Sequence, residues 1–327
     1  MTAAVDAASP ARIAVTPAER RIGGIALLLF AAAAGLPLLD TGYWLSLGVN
    51  LAMYAALCTA WTLFSGPTHY VSLATAAFFG LGTYSVGMGI DILPFPVLLA
   101  IAAGLGAALA ALVGLATLRL SGMYFVIFTL GLAELVRQVV TWYQTNFTTG
   151  VGLYVFTDLT EAHLYWMLLA VAALAYLTGW LVNRSRLGFA MRIIGNDELV
   201  AAHVGIDTAR AKVILFTISG AFIGLVGAIM APRFAYIEPP SAFNPMISFL
   251  VVIMALLGGT GRLWGPLLGV IPFTLLWDVI SARFPNQTSL LLGIAFLGVV
   301  YLLPRGVLGL AARLRRPAAP ARGAGGA

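Results

Sequence analysis

Apolar and polar positions alternate along this chain on the scale of whole membrane crossings. Uncharged apolar runs of roughly twenty residues, the length that crosses a hydrocarbon core, are separated by short polar or charged breaks. The breaks place ten membrane segments at 22–39, 43–64, 70–90, 93–118, 121–143, 162–183, 213–232, 243–257, 263–282 and 288–304. No Asp, Glu, Lys or Arg occurs between Asp40 and Asp91, a stretch long enough for two crossings, with Ser65-Gly66-Pro67-Thr68 as the turn between them. The eighth segment is short for a crossing, which leaves a re-entrant path open. The pattern predicts an all-α fold, a polytopic transmembrane helical bundle. Residues 1–21 and 305–327, mixed in Pro, Arg, Ala and Gly, read as disordered tails. The polar segment 184–212 is the largest interruption inside the transmembrane domain 22–304.

Composition sharpens this. Hydrophobic residues make up 61% of the 327 positions and charged residues only 9%, against about 25% charged in soluble domains. A soluble globular fold is excluded. The net charge of +6 is not a nucleic-acid signature, because the cations lie between the apolar runs. With the N-terminus inside, fifteen of the eighteen cations fall on one side, from Arg12, Arg20 and Arg21 through Arg119, Arg184, Arg186, Arg192, Arg210, Lys212 and Arg262 to the tail. Arg233 and Arg283 fall on the other side, and Arg137 lies within a span. The outer loops carry Asp40, Asp91, Asp158, Glu161 and Glu238 instead. Positive charge inside therefore puts both termini in the cytoplasm.

The residues for several chemistries are missing. Cys58 is the single cysteine, and the three histidines, His69, His163 and His203, are scattered, so no disulfide, metal site or cofactor is expected. A phosphate-binding loop needs Gly-x-x-x-x-Gly-Lys-Ser/Thr. The single lysine, Lys212, is followed by Val213, so this chain cannot hydrolyse ATP by that route. No catalytic constellation stands out, and the chain is not expected to be an enzyme.

Segment 184–212 is the most informative. Asn196 suits an N-cap, Asp197 and Glu198 suit the positive end of a helix, and Gly205 is a natural stop. Leu199, Ala202 and Val204 give that short helix an apolar side. It can lie at the membrane surface or dock in a partner's groove. Glu134 and Arg137, three apart inside a span, share a helix face; they are either a functional pair or a structural ion pair. The stretch Ser72–Gly89 alternates small and bulky residues, as Gly-interrupted segments do at transport sites and in ordinary packing. Gly220 and Gly224, and Gly261, Gly265 and Gly269, repeat at four-residue spacing, which serves either intrachain packing or a subunit interface.

Five stretches, in order from about residue 40 to 310, resemble the branched-chain amino acid permeases of bacterial ABC importers. They are Ser72-Leu73-Ala74-Thr75 through Tyr84; Leu118 through Gly122, Tyr124, Thr129 and Glu134; Ser185-Arg186-Leu187-Gly188 through Arg192, Asp197-Glu198, Ala201-Ala202 and Gly205-Ile206; Leu256 through Gly265-Pro266; and Leu303-Pro304-Arg305-Gly306. The last resembles the end of one member of that family's permease pair. The resemblance implies a multi-pass permease of the bacterial inner membrane. Its partners would be a second homologous permease, two cytoplasmic ATP-binding subunits, a periplasmic substrate-binding protein, a small-molecule substrate and membrane lipid, with no nucleic acid. Segment 184–212 would be the coupling loop, with Asn196, Asp197, Glu198, Ala201, Ala202, His203 and Gly205 engaging the ATPase. Tyr70, Ser72, Thr75, Phe78, Tyr124, Thr129, Glu134 and Arg137 are candidates for the translocation path. The stretch Pro67–Thr75 departs from the family's Gly-Gln and Gly-His features, with Tyr70, Ala74 and Thr75 in their place. That keeps urea, amides or small aromatic acids as alternative cargo. A stand-alone secondary transporter is the rival from another class.

Overall fold

The computed structural model describes residues 24, 30–39, 42–117, 122–147, 150, 152–261 and 263–302. The expected tails, residues 22–23 and 25–29 of the 22–39 segment and Arg262 lie outside those residues. The main helices are α1 (Tyr43–Thr68), α2 (Thr75–Gly89), α3 (Phe95–Thr117), α4 (Met123–Phe147), α5 (Glu161–Arg184), α6 (Arg186–Asn196), α7 (Glu198–His203), α8 (Thr208–Met230), α9 (Pro245–Gly258), α10 (Gly265–Arg283) and α11 (Thr288–Leu302). The fold is all-α; the described strands are a two-residue antiparallel pair, β1 (Leu153–Tyr154) with β2 (Tyr236–Ile237).

The expected count of ten membrane segments is corrected. Seven helices among the described residues are long and apolar enough to cross: α1, α3, α4, α5, α8 with its 3-10 extension to Phe234, α9 with the preceding Pro239–Ala242 turn, and α10. The segment expected at 70–90 contributes only the 15-residue α2, and the one at 288–304 only the 15-residue α11. Hydropathy counts apolar residues, and it cannot tell a helical residue from an extended one. The segment expected at 243–257 begins with the helical turn Pro239–Ala242 and breaks before α9, so the two pieces together reach crossing length.

The turn expected at Ser65-Gly66-Pro67-Thr68 is also corrected. Helix α1 runs through all four residues and stops at His69, which takes the left-handed conformation with φ 59°. Pro67 lacks an N–H, so the helix gives up one hydrogen bond there, one residue before its end.

Helix α1 is central, with 83% of its apolar window buried, whereas α4 is peripheral at 22%. Helix α8 packs on α2 and α3 through glycine. A Cβ on Gly82 would lie 1.9 Å from the Gly224 carbonyl oxygen, and Gly220 faces Gly106 and Ala110. Gly258, Gly265 and Gly269 bring α9 against α10 in the same way. The Gly220–Gly224 pair, and Gly265 and Gly269 of the second repeat, therefore serve close packing within the chain, a main source of helix association in lipid, while a Cβ on Gly261 would meet nothing within 4 Å.

The bundle has two distinct ends. At one, Gly66 approaches Thr260, Tyr176 packs on Trp264 with ring centroids 4.6 Å apart, and Arg184 lies over Trp180. Helices α6 and α7 cap this end. At the other, the β1–β2 ladder ties the α4–α5 connection to the segment after α8. There Arg233 donates to Ser46 Oγ at 2.7 Å and Asn50 Oδ1 at 3.1 Å, beside Glu161. Tyr43 donates to Asp278 at that end as well.

Candidate functional site

The 184–212 segment forms two helices where one short helix was expected over 196–205. Ser185 caps α6, its hydroxyl accepting from Gly188 N–H. Asn196 is the last residue of α6, not an N-cap. The cap of α7 is Asp197, whose carboxylate accepts from the N–H groups of Leu199 and Val200. Asp197 has the extended backbone an N-cap requires. Gly205, at φ 82°, ends the unit. Ala201 is buried against the body, while Ala202 and His203 lie on the outer side. Leu199, Val200 and Val204 are exposed, as is Phe189 on α6.

Glu198 does not serve the cap. Its carboxylate reaches across to α8, where Lys212 Nζ stands 2.5 Å from Oε1. The Lys212 side chain is only 1% exposed. Tyr70 completes the cluster: its hydroxyl accepts from Lys212 Nζ at 3.1 Å and donates to Glu198 Oε2 at 3.0 Å. Its ring lies under Nζ, 4.4 Å from the centroid, a favourable cation–π placement. Partial burial pushes the Glu198 carboxyl up, but the hydrogen bond and charge of Lys212, with bonds from Tyr70 and Thr208, outweigh it and hold it below its ordinary value. Close by, Gly195 meets the Pro67 carbonyl, where a Cβ would stand 2.1 Å from the oxygen.

Tyr70 belongs to the stretch 69–74, which carries no helix and leads into α2. This stretch turns back into the bundle. The indole of Trp61, seven residues before the end of α1 and thus about 10 Å along the helix, donates to Ser72 O at 2.8 Å. Leu73 N–H donates to Thr129 Oγ1 of α4, and Leu73 O accepts from Ser248 Oγ of α9. The same Ser248 hydroxyl accepts from Ala76 N–H at the start of α2. Ser72 Oγ accepts from Ala74 N–H. Non-helical backbone at membrane depth is tolerated only where protein satisfies its polar groups, and here three other helices do so.

The structure thus brings Tyr70, Ser72 and Thr129 together with Glu198. Phe78 is buried, packed on Phe216. Thr75 is buried too, and its hydroxyl has no hydrogen-bond partner. Tyr124 is 74% exposed. Glu134 and Arg137 pair on the outer face of α4, with Gln138 donating to the same carboxylate; they do not join the other path candidates. Sequence reading missed Trp61, Ser248 and the partnership of Lys212. A lone lysine just inside an apolar helix, and a serine inside the apolar run of α9, were the available signals.

Comparison with known proteins places this architecture. Residues 43–303 match the family described as branched-chain amino acid transport system / permease component. The chain is 26% identical over 304 residues to the high-affinity branched-chain amino acid transport system permease protein LivM of Escherichia coli (strain K12), covering 82% of this chain and 68% of that protein. It is also 26% identical over 173 residues to LivH of the same organism, covering 53% of each. The ribose import permease protein RbsC of Bacillus subtilis (strain 168) is 29% identical over 103 residues, 30% of this chain and 32% of RbsC. No solved structure matches the chain.

Proposed function

Since this chain belongs to the branched-chain amino acid transport permease family, we propose that it is the transmembrane permease subunit of an importer for a small, branched-chain type amino acid. It is a multi-pass protein of a bacterial inner membrane, and its task is translocation rather than catalysis. Its sequence holds no phosphate-binding loop, so ATP-binding subunits on the cytoplasmic side would supply the energy. A second permease would complete the membrane part, and a periplasmic binding protein would deliver the cargo. The end capped by α6 and α7 would then be cytoplasmic, because it carries Arg184, Arg186, Arg192, Arg210 and Lys212.

The observation that carries this reading is the geometry of α7. It is a capped helix with Leu199, Val200 and Val204 turned outward, and its inner side is anchored by Glu198 on buried Lys212. An exposed apolar edge on a rigid base suits insertion into a partner's groove. Transport would proceed by alternating access, with nucleotide binding to the partners moving α7. The likeness to the LivM and LivH permeases of branched-chain amino acid transport favours the branched-chain reading over urea, amides or aromatic acids.

The test is co-purification of the ATP-binding subunits with the L199E/V204E variant. Both side chains are exposed, so the fold should persist while the partners are lost. Full retention of the ATP-binding subunits would overturn the docking assignment.

A further inference from the structure

We propose that Glu198, Lys212 and Tyr70 form the linkage through which α7 moves the buried stretch 69–74 and with it the start of α2. The proposal rests on the permease reading above and adds the internal route by which a push on α7 reaches the membrane interior.

Three separate segments meet in this cluster: α7 through Glu198, α8 through Lys212, and the 69–74 stretch through Tyr70. Lys212 is the only lysine of the chain, and its ammonium is buried. Pulling Glu198 away would strand that charge, and breaking a buried pair by removing one partner is strongly unfavourable. Displacement of α7 therefore carries Lys212 and Tyr70 along in preference to separating from them. Tyr70 strengthens the tie because it bonds to both members and faces the cation with its ring.

Beyond Tyr70, the stretch is held by side chains of other helices. Its bonds run to Trp61, Thr129 and Ser248, on α1, α4 and α9. A segment held this way shifts by exchanging partners, which favours two discrete positions over gradual bending. Ser248 extends the route, since the hydroxyl that holds Leu73 O also holds the Ala76 N–H of α2. The close seat of Gly195 on the Pro67 carbonyl leaves no room for α6 to slide along the end of α1. It supplies a fixed point against which α7 can lever. The three residues are positioning residues, since none is assigned a contact with cargo.

The test uses the assembled importer, reconstituted in proteoliposomes with its binding protein, and reads ATP hydrolysed per molecule of radiolabelled leucine taken up. Y70F removes both hydroxyl bonds and keeps the ring. It should raise that ratio at least threefold, with ATP-binding subunits still bound, and K212Q should do the same. K212R, which keeps the charge, should restore most of the coupling. If Y70F fails to assemble, the charge exchange E198K/K212E decides: coupling better than in either single variant supports the linkage. Ratios equal to the unaltered importer in Y70F and K212Q, with only a lowered melting temperature, would reduce the cluster to a structural staple and overturn the proposal. Failure of the unaltered chain to retain ATP-binding subunits would instead strike the permease reading.

Discussion

Two of the ion pairs among the described residues behave as opposites. Arg137 and Glu134 sit three residues apart on one helix, with side chains 28% and 46% exposed. The pair closes on itself, drawing in only Gln138, one turn further along. Lys212 and Glu198 are fourteen residues apart on two helices, and Lys212 is buried. The first pair neutralises charge locally. The second joins a surface helix to a membrane helix and, through Tyr70, to a buried non-helical stretch. What separates them is what each ties together: the first joins two residues of a single helix, the second holds two helices and the 69–74 stretch to one buried ammonium.

The largest expected effect follows from that difference. E198A leaves Lys212 buried without its counter-charge and should destabilise the chain by about 2–3 kcal/mol, less than for a fully buried pair because the Glu198 side chain is 40% exposed, read by thermal unfolding in detergent. A loss below 1 kcal/mol, on the order of a surface pair, would erase the contrast. Next in size is S248A, which deprives both Leu73 O and Ala76 N–H of their partner. It should cost about 1–3 kcal/mol in the same assay and increase amide exchange at the start of α2. The double variant E134Q/R137Q removes both charges together from a pair that lies within one helix and should change stability of the isolated chain in detergent by less than about 1 kcal/mol; an effect matching that of E198A would show that the α4 pair also anchors the fold.

The smallest effect is on acid stability. The carboxyl of Glu198 lies below its ordinary value of 4.5, facing Lys212, Tyr70 and Thr208. A lowered carboxyl contributes stability that is complete above the ordinary value and is lost as pH falls through the lowered one. Unaltered protein should therefore lose more stability on acidification below that ordinary value of 4.5 than E198Q does. Parallel acid curves for the two would contradict the assignment.

The course of the chain through the membrane was legible because crossings are a matter of length and apolarity, both local properties. The sidedness pattern was legible for the same reason: Arg184, Arg186, Arg192 and Lys212 share one end, and Arg233, one of the two exceptions, is held by Ser46, Asn50 and Glu161 at the other. The late start of α2 was not legible. Residues 69–74 carry no formal charge, and what keeps them out of a helix is a set of hydrogen bonds from Trp61, Thr129 and Ser248, as far as 175 residues away. The division of labour between Asp197 and Glu198 was hidden too. Either carboxylate suits a helix start; the backbone angle at Asp197 and a lysine one helix later decide between them.

The central claim is that the chain is worked from the cytoplasm through α7. The only cysteine, Cys58, is buried, so a cysteine placed by V204C is the one accessible thiol among the described residues. A membrane-impermeant maleimide applied to intact spheroplasts and to inverted vesicles reads its side directly. Labelling in inverted vesicles alone is the predicted result, and labelling from outside intact spheroplasts would contradict it.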